Sequence, residues 1–234
     1  DFKKFNPTNN YLQSYNWKKG DTLKQLDLAN TLTIIKNNGR KSFYEGEIAQ
    51  SIVETTQETG IISMADLKDY KSIWREPIVL NFNHYKLISM PPPSSGGIAL
   101  SQLIMMSSNL KLDTLKHNNS EYIHLISEIE KRVYADRAMH LGDMDYYNVP
   151  LDKLMDFDYN QKRIKHINLN HSTPSDSIFH GQFDSKESEE TTHFSITDND
   201  GNAVSVTTTL NTSYGSKVFV NNRGFLLNNE MDDF

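Results

Sequence analysis

The chain has 234 residues, 37% of them hydrophobic, with 11 Phe, 11 Tyr and 2 Trp, a formal net charge of -6 at pH 7 and no cysteine. So many aromatics in a chain this long predict a packed globular protein with a wet surface rather than a disordered one. The negative charge argues against nucleic acid or an anionic membrane as main partner, because no basic stripe neutralises phosphates, and the lack of cysteine excludes disulfides and thiolate nucleophiles.

No apolar run is long enough to cross a bilayer, and the opening "DFKKFNPTNN" lacks the apolar centre of a signal peptide. From Asp21, "DTLKQLDLANTLTIIKNNGRKSF" sets Leu23, Leu26, Leu28, Leu32 and Ile35 near helical spacing and predicts a helix that stops at Gly39. A second helix is predicted over "EIAQSIVETTQET", ending at Gly60, and Ser63 with Asp66 predicts a capped turn after it. "PIVLNFNHYKLISM" predicts two strands joined around Asn83 and His84. They lead into "PPPSSGG", residues 91–97, a stiff strand-to-helix corner where Ser94 or Ser95 is expected to cap the helix of "IALSQLIMMSS" and the glycines permit close backbone approach.

Ser120 is expected to cap a long amphipathic helix through "EYIHLISEIEKRVYADRAMHL", with Ile123, Ile126, Ile129, Val133 and Leu141 in the core and its Glu, Lys and Arg on a solvated face. The stretch from Asn168 to Glu190 is polar and closes on "KESEE", which predicts a mobile surface linker. The eight histidines are scattered without the spacing of a metal site, and Ser108-x-x-Lys111 lacks the partner motifs of a serine-lysine hydrolase.

Asp198-Asn199-Asp200-Gly201-Asn202 suits a three-residue hairpin loop with glycine in the left-handed conformation. That choice sets Ser195 opposite Ser205, His193 opposite Thr207 and Thr191 opposite Thr209. One face then carries Thr191, His193, Ser195, Thr197, Ser205, Thr207 and Thr209; the other carries Thr192, Phe194, Ile196, Val204, Val206, Thr208 and Leu210. A slip of one residue would destroy this partition. Threonine suits strands in any case, but a charged linker that abuts the first strand residue suggests more. A hydroxyl nucleophile needs a base, and one solution is its own α-amine, freed by cutting the chain just before it. An accessible linker ending at Glu190-Thr191 meets that requirement, and Thr209 across the ladder could orient the Thr191 hydroxyl.

"TTHFSITDNDGNAVSVTTTLN", "GFLLNNEMDDF", "MPPPSSGG" and "YADRAMHLGD" resemble the γ-glutamyltranspeptidases, N-terminal nucleophile hydrolases that cleave themselves into a large and a small subunit, and the match in order and spacing runs from about Asp21 to Phe234. The resemblance implies an α+β fold like the four-layer αββα sandwich of that superfamily, incomplete in this stretch. Residues 1–190 would be the C-terminal part of the large-subunit region, closing in the polar linker of about 168–190, and residues 191–234 the N-terminal part of the small subunit. It implies autoprocessing between Glu190 and Thr191, Thr191 as nucleophile, and Thr209 as its hydrogen-bond partner. It also implies Asn211 as a contact for the glutamyl group, with Glu230 and Asp233 as the acidic pair that binds the substrate ammonium. Substrates would be glutathione or other γ-glutamyl compounds, with water or amino acids and peptides as acceptors, no cofactor, paired large and small subunits, and a periplasmic or secreted location.

The family's lid, paired serines, oxyanion glycines and upstream arginine have no counterpart in these 234 residues, which implies that this stretch alone neither processes nor turns over efficiently. The competing expectation is a non-catalytic fragment whose polar face only binds a partner.

Overall fold

In the computed structural model the described residues are 2–6, 16–58, 60–179 and 192–233. In chain order the helices are α1 (Phe2–Phe5), α2 (Leu26–Asn38), α3 (Arg40–Tyr44), α4 (Glu47–Thr56), α5 (Met64–Asp69), α6 (Gly96–Ser107), α7 (Ser120–His140), α8 (Leu151–Leu154) and α9 (Phe157–Ile164). Strands β1 (Ile78–Phe82) and β2 (Tyr85–Ser89) form one antiparallel hairpin, and β3 (Thr192–Thr197) and β4 (Ala203–Thr208) form another. The content is α+β, and among the described residues each sheet has two strands. None of the described helices is long and apolar enough to cross a membrane. The chain divides into two compact units, Asp1–Ser72 with Lys186–Phe234, and Ile73–Ser185. The first unit thus draws on sequence from both sides of the expected cut after Glu190.

In that first unit the core is Ile48, Ile52 and Val220, with Ile34, Ile35, Phe43, Phe225 and Leu227 packed against it. The amphipathic spacing of α4 supplies Ile48, Ala49, Ile52 and Thr56 to the buried side. Helix α2 stops before Gly39 as its sequence predicts, but begins at Leu26 rather than Asp21. Leu26 is 75% exposed and Leu32 56%; the helix buries Thr31 instead, whose hydroxyl donates to the Arg223 carbonyl at 2.8 Å. A leucine spacing marks a helix but not the side that packs, because the turn at Arg223, far along the chain, decides that. Ser63 and Asp66 form the expected reciprocal cap: the Ser63 hydroxyl accepts the Asp66 N–H, and the Asp66 carboxylate accepts the Ser63 N–H at 2.8 Å.

In the second unit β1 and β2 pair from Ile78 with Ser89 to Phe82 with Tyr85, turning at Asn83 in the left-handed region. Neither serine caps α6 in the expected way: Ser94 Oγ accepts only from Gly96 N at 3.4 Å, while Ser95 Oγ instead accepts from Arg137 Nε at 3.0 Å. The close approach expected of the glycines occurs at Gly97. A Cβ there would lie 2.2 Å from the Met90 carbonyl oxygen, a backbone atom just past β2, and 3.2 Å from the Ile78 side chain on β1. Gly97→Ala is therefore expected to lower stability by about 1–3 kcal/mol, read as a lower denaturation midpoint, and an unchanged midpoint would show that the corner yields.

Helix α7 departs most from expectation. Its cap is Asn119, whose side chain accepts the Tyr122 N–H at 2.7 Å, not Ser120. Ile129 and Val133 are core with Met106 and Ile164, but Ile123 is 51% exposed. The face assigned to solvent is partly interior: Glu128, Arg132 and Asp136 are buried. Arg132 NH1 donates to Glu128 Oε2 at 2.9 Å and its Nε to the Arg163 carbonyl at 2.9 Å. Gln102 and Tyr159 donate to Asp136 Oδ2, and Arg163 lies 3.0 Å from Asp136 Oδ1. Burial first, then the neighbouring Asp136 charge, pushes the Tyr159 phenol up to about 12.

The same network corrects part of the linker. Glu128 Oε1 accepts from Thr173 N at 2.9 Å and Ser172 Oγ at 3.2 Å, and Lys131 Nζ donates to Ser172 Oγ and to the Thr173 carbonyl. Together with buried Ile178, these contacts anchor the segment that follows Asn168. The remainder of the expected linker, residues 180–190, lies outside the described residues.

Candidate active site

Asp198 shapes the hairpin loop: its N–H donates to the Asn202 carbonyl at 3.1 Å, and its Oδ1 accepts from Asp200 N and Asn202 N at 3.0 and 2.9 Å. These bonds, the Asn202 side-chain amide first among them, hold the Asp198 carboxyl below its usual range. Gly201 takes φ +84°, the left-handed position that the loop needs. The turn fixes the ladder, whose pairs run Thr197 with Ala203, Ser195 with Ser205, His193 with Thr207 and Thr192 with Thr208. This is the register read from the sequence. Alternation then puts Phe194, Ile196 and Val204 on one face, all three exposed among the described residues.

On the other face His193 is set in a row of hydroxyls. Its Nδ1 lies 2.8 Å from Thr207 Oγ1, and its Nε2 lies 3.0 Å from Ser205 Oγ and 3.4 Å from Ser195 Oγ. Both ring nitrogens are engaged along the strands, the arrangement of a lining residue.

Beyond β4 the chain turns sharply, with φ of +74° at Asn211, +65° at Tyr214 and +62° at Lys217. Non-glycine residues rarely hold this region, and a bulky aromatic almost never does, so the surroundings must impose it. Thr209 Oγ1 accepts the Asn211 N–H at 3.0 Å. The buried Asn211 side chain donates from Nδ2 to the Asn229 carbonyl at 3.1 Å. Glu230, half-buried, is the next residue; it opens a short 3-10 turn, Glu230–Asp233, and its N–H donates to Asn228 Oδ1 at 3.0 Å. A concavity of about 300 Å³ lies alongside, lined by Thr192, Thr208, Thr209, Leu210, Thr212, Ser213 and Tyr214.

Of the residues singled out from sequence, the fold brings Thr209, Asn211 and Glu230 to one corner and places the Asp233 backbone in the same turn. Glu190 and Thr191 lie outside the described residues; Thr192, next in sequence, closes the ladder. Sequence reasoning missed Asn229, Thr212 and Tyr214. Asn229 offers no local signal of its bonds to Leu210, Asn211 and Thr212, since all of them reach far back along the chain. Chemically the corner offers neutral hydrogen-bonding groups, Thr209 and Asn211, bonded to a segment that continues directly into the acidic residue Glu230.

The gamma-glutamyltranspeptidase family model matches residues 3–234. Glutathione hydrolase proenzyme of Escherichia coli is 42% identical over 218 residues, covering 93% of this chain and 38% of that protein. The protein of the same name in Pseudomonas aeruginosa is 46% identical over 220 residues, covering 93% of this chain and 39% of that protein. The chain thus spans well under half the length of these curated relatives. Among solved structures, gamma-glutamyltranspeptidase from Pseudomonas nitroreducens complexed with L-DON superposes with a TM-score of 0.66 at 39% identity, over 70% of this chain and 50% of that one. The fold is that of the N-terminal nucleophile hydrolases, and the chain belongs to the gamma-glutamyltranspeptidase family.

Proposed function

We propose that the whole protein cleaves γ-glutamyl amides through a threonine ester and passes the γ-glutamyl group to water or to an amino acid or peptide. The observation that carries this reading is the convergence of Thr209, Asn211 and Glu230 on one hydrogen-bonded corner, one residue past the last ladder pair. The names of the relatives, glutathione hydrolase proenzymes, support glutathione as a donor and a chain cut before use. The cut would fall between Glu190 and Thr191, making residues 1–190 the end of a large subunit and residues 191–234 the start of a small one, the two remaining paired. A periplasmic or secreted location belongs to the same proposal.

In the proposed reaction the freed α-amine of Thr191, basic near neutral pH, takes the hydroxyl proton as the oxygen attacks the γ-carbonyl carbon. The C–N bond breaks and the proton goes to the leaving amine. Water or an acceptor amine then attacks the γ-glutamyl ester, and Thr191 recovers its proton. Thr209 orients the nucleophile, Asn211 holds the glutamyl group, and Glu230 and Asp233 take the ammonium. The test is incubation with a chromogenic γ-glutamyl anilide, with intact mass followed over time. Release of the anilide and a cut before Thr191 are expected; a purified full-length protein that does neither would sink the proposal.

Asp233 gives a sharper check. Asp233→Asn keeps the shape and removes the charge, which for a charged hydrogen bond should weaken substrate binding by about 2–3 kcal/mol. The loss should appear in KM, and an unchanged KM would assign Asp233 to structure.

A further inference from the structure

We propose that Asn229 is a positioning residue for substrate binding, fixing Asn211 and Glu230 at one spacing; the inference rests on the functional reading above. Asn229 bonds across the turn to its opposite limb, at Leu210, Asn211 and Thr212. Its N–H donates to the Leu210 carbonyl at 3.1 Å, and its carbonyl accepts from Asn211 Nδ2 at 3.1 Å. Its Oδ1 accepts from Thr212 N at 3.1 Å and lies 3.0 Å from Thr212 Oγ1. The backbone bonds set the two limbs side by side, and the side-chain oxygen closes the turn that carries Asn211 in the left-handed region. Asn tolerates that region better than most residues but still needs it imposed. Since Glu230 follows Asn229 directly, one residue governs both the group proposed to hold the glutamyl moiety and the carboxylate proposed to take its ammonium.

The chemistry separates two substitutions. Asn229→Asp keeps an acceptor oxygen for both Thr212 donors, whereas Asn229→Leu leaves the Thr212 N–H without its partner and lets the turn relax. The experiment measures KM and kcat for a γ-glutamyl anilide in the full-length processed protein. Asn229→Leu is expected to raise KM about tenfold with kcat changed less than about threefold, and Asn229→Asp to stay within about threefold of wild type in KM, the pattern of a lost ground-state arrangement rather than lost chemistry. Thr212→Val, which removes the hydroxyl contact and spares Asn229, should raise KM about threefold and serves where Asn229→Leu fails to fold. Wild-type KM in Asn229→Leu, or in Thr212→Val where that variant stands in, overturns the inference alone, as does equal loss in Asn229→Leu and Asn229→Asp. A wild-type protein that leaves the anilide intact overturns the functional reading and this inference with it.

Discussion

Glu128→Ala is expected to destabilise the protein by about 3–5 kcal/mol, because it removes one partner of a buried ionic network and leaves the others unpaired. Glu128 is fully buried, and its carboxylate receives Thr173 N, Lys131 Nζ and Arg132 NH1, each at 2.9 Å. Burial pushes the Glu128 carboxyl up, but the hydrogen bonds from Thr173, Lys131 and Arg132 outweigh it and hold the group well below the usual carboxylate range. The folded group thus binds its proton less readily than the unfolded one. Its contribution is present in full above the unfolded glutamate value, about 4.3, and is lost as pH falls below that toward the depressed folded value. Denaturant melts of wild type and Glu128→Gln at pH 7 and near pH 3 should therefore differ most at pH 7. Removing Arg132 as well, as Glu128→Leu with Arg132→Met, should cost less than the sum of the two single changes, since the buried guanidinium is then not left without its carboxylate. A loss under about 1 kcal/mol for Glu128→Ala would show that water reaches the network after all.

That network marks where sequence stops informing. Glu128, Arg132 and Asp136 recur every four residues and read as a surface ladder of i,i+4 charges, the commoner arrangement. Arg163 and Tyr159 on α9 and Gln102 on α6 partner Asp136, and Thr173 partners Glu128, and no local pattern on α7 announces them. Ile123 fails for the converse reason: apolar spacing names a stripe, but the stripe packs only where a neighbouring helix lies across it. The hairpin was legible because its determinants are adjacent. Asp198 and Gly201 set the loop, the loop sets the register, and alternation sorts the faces without long-range help. In the site, strand chemistry alone pointed to Thr191 and Thr209, whereas Asn211, Glu230 and Asp233 were legible only through resemblance to a family. The bonds that join Asn211 to Asn229 were invisible, being made by polar residues far apart in the chain.

The hairpin register yields the prediction with the largest effect on function. Thr191→Ala in the full-length protein is expected to abolish both self-cleavage and turnover, a loss of at least about a thousandfold, because each step needs the same hydroxyl. Thr192→Ala should process and turn over within about tenfold of wild type. Thr192 pairs with Thr208, and alternation puts its side chain with Phe194 and Ile196, away from the His193 and Thr207 face. Its hydroxyl is removed there from a concavity wall rather than from the bonded corner at Thr209 and Asn211. Intact mass reports cleavage and release of a chromogenic anilide reports turnover, so the two steps are scored separately. Cleavage lost only in Thr191→Ala, with Thr192→Ala still cut, assigns the nucleophile to the odd-numbered face. Comparable loss in both variants would mean that the ladder does not keep its alternation to its end, and the facing argument for Thr209 would fall with it.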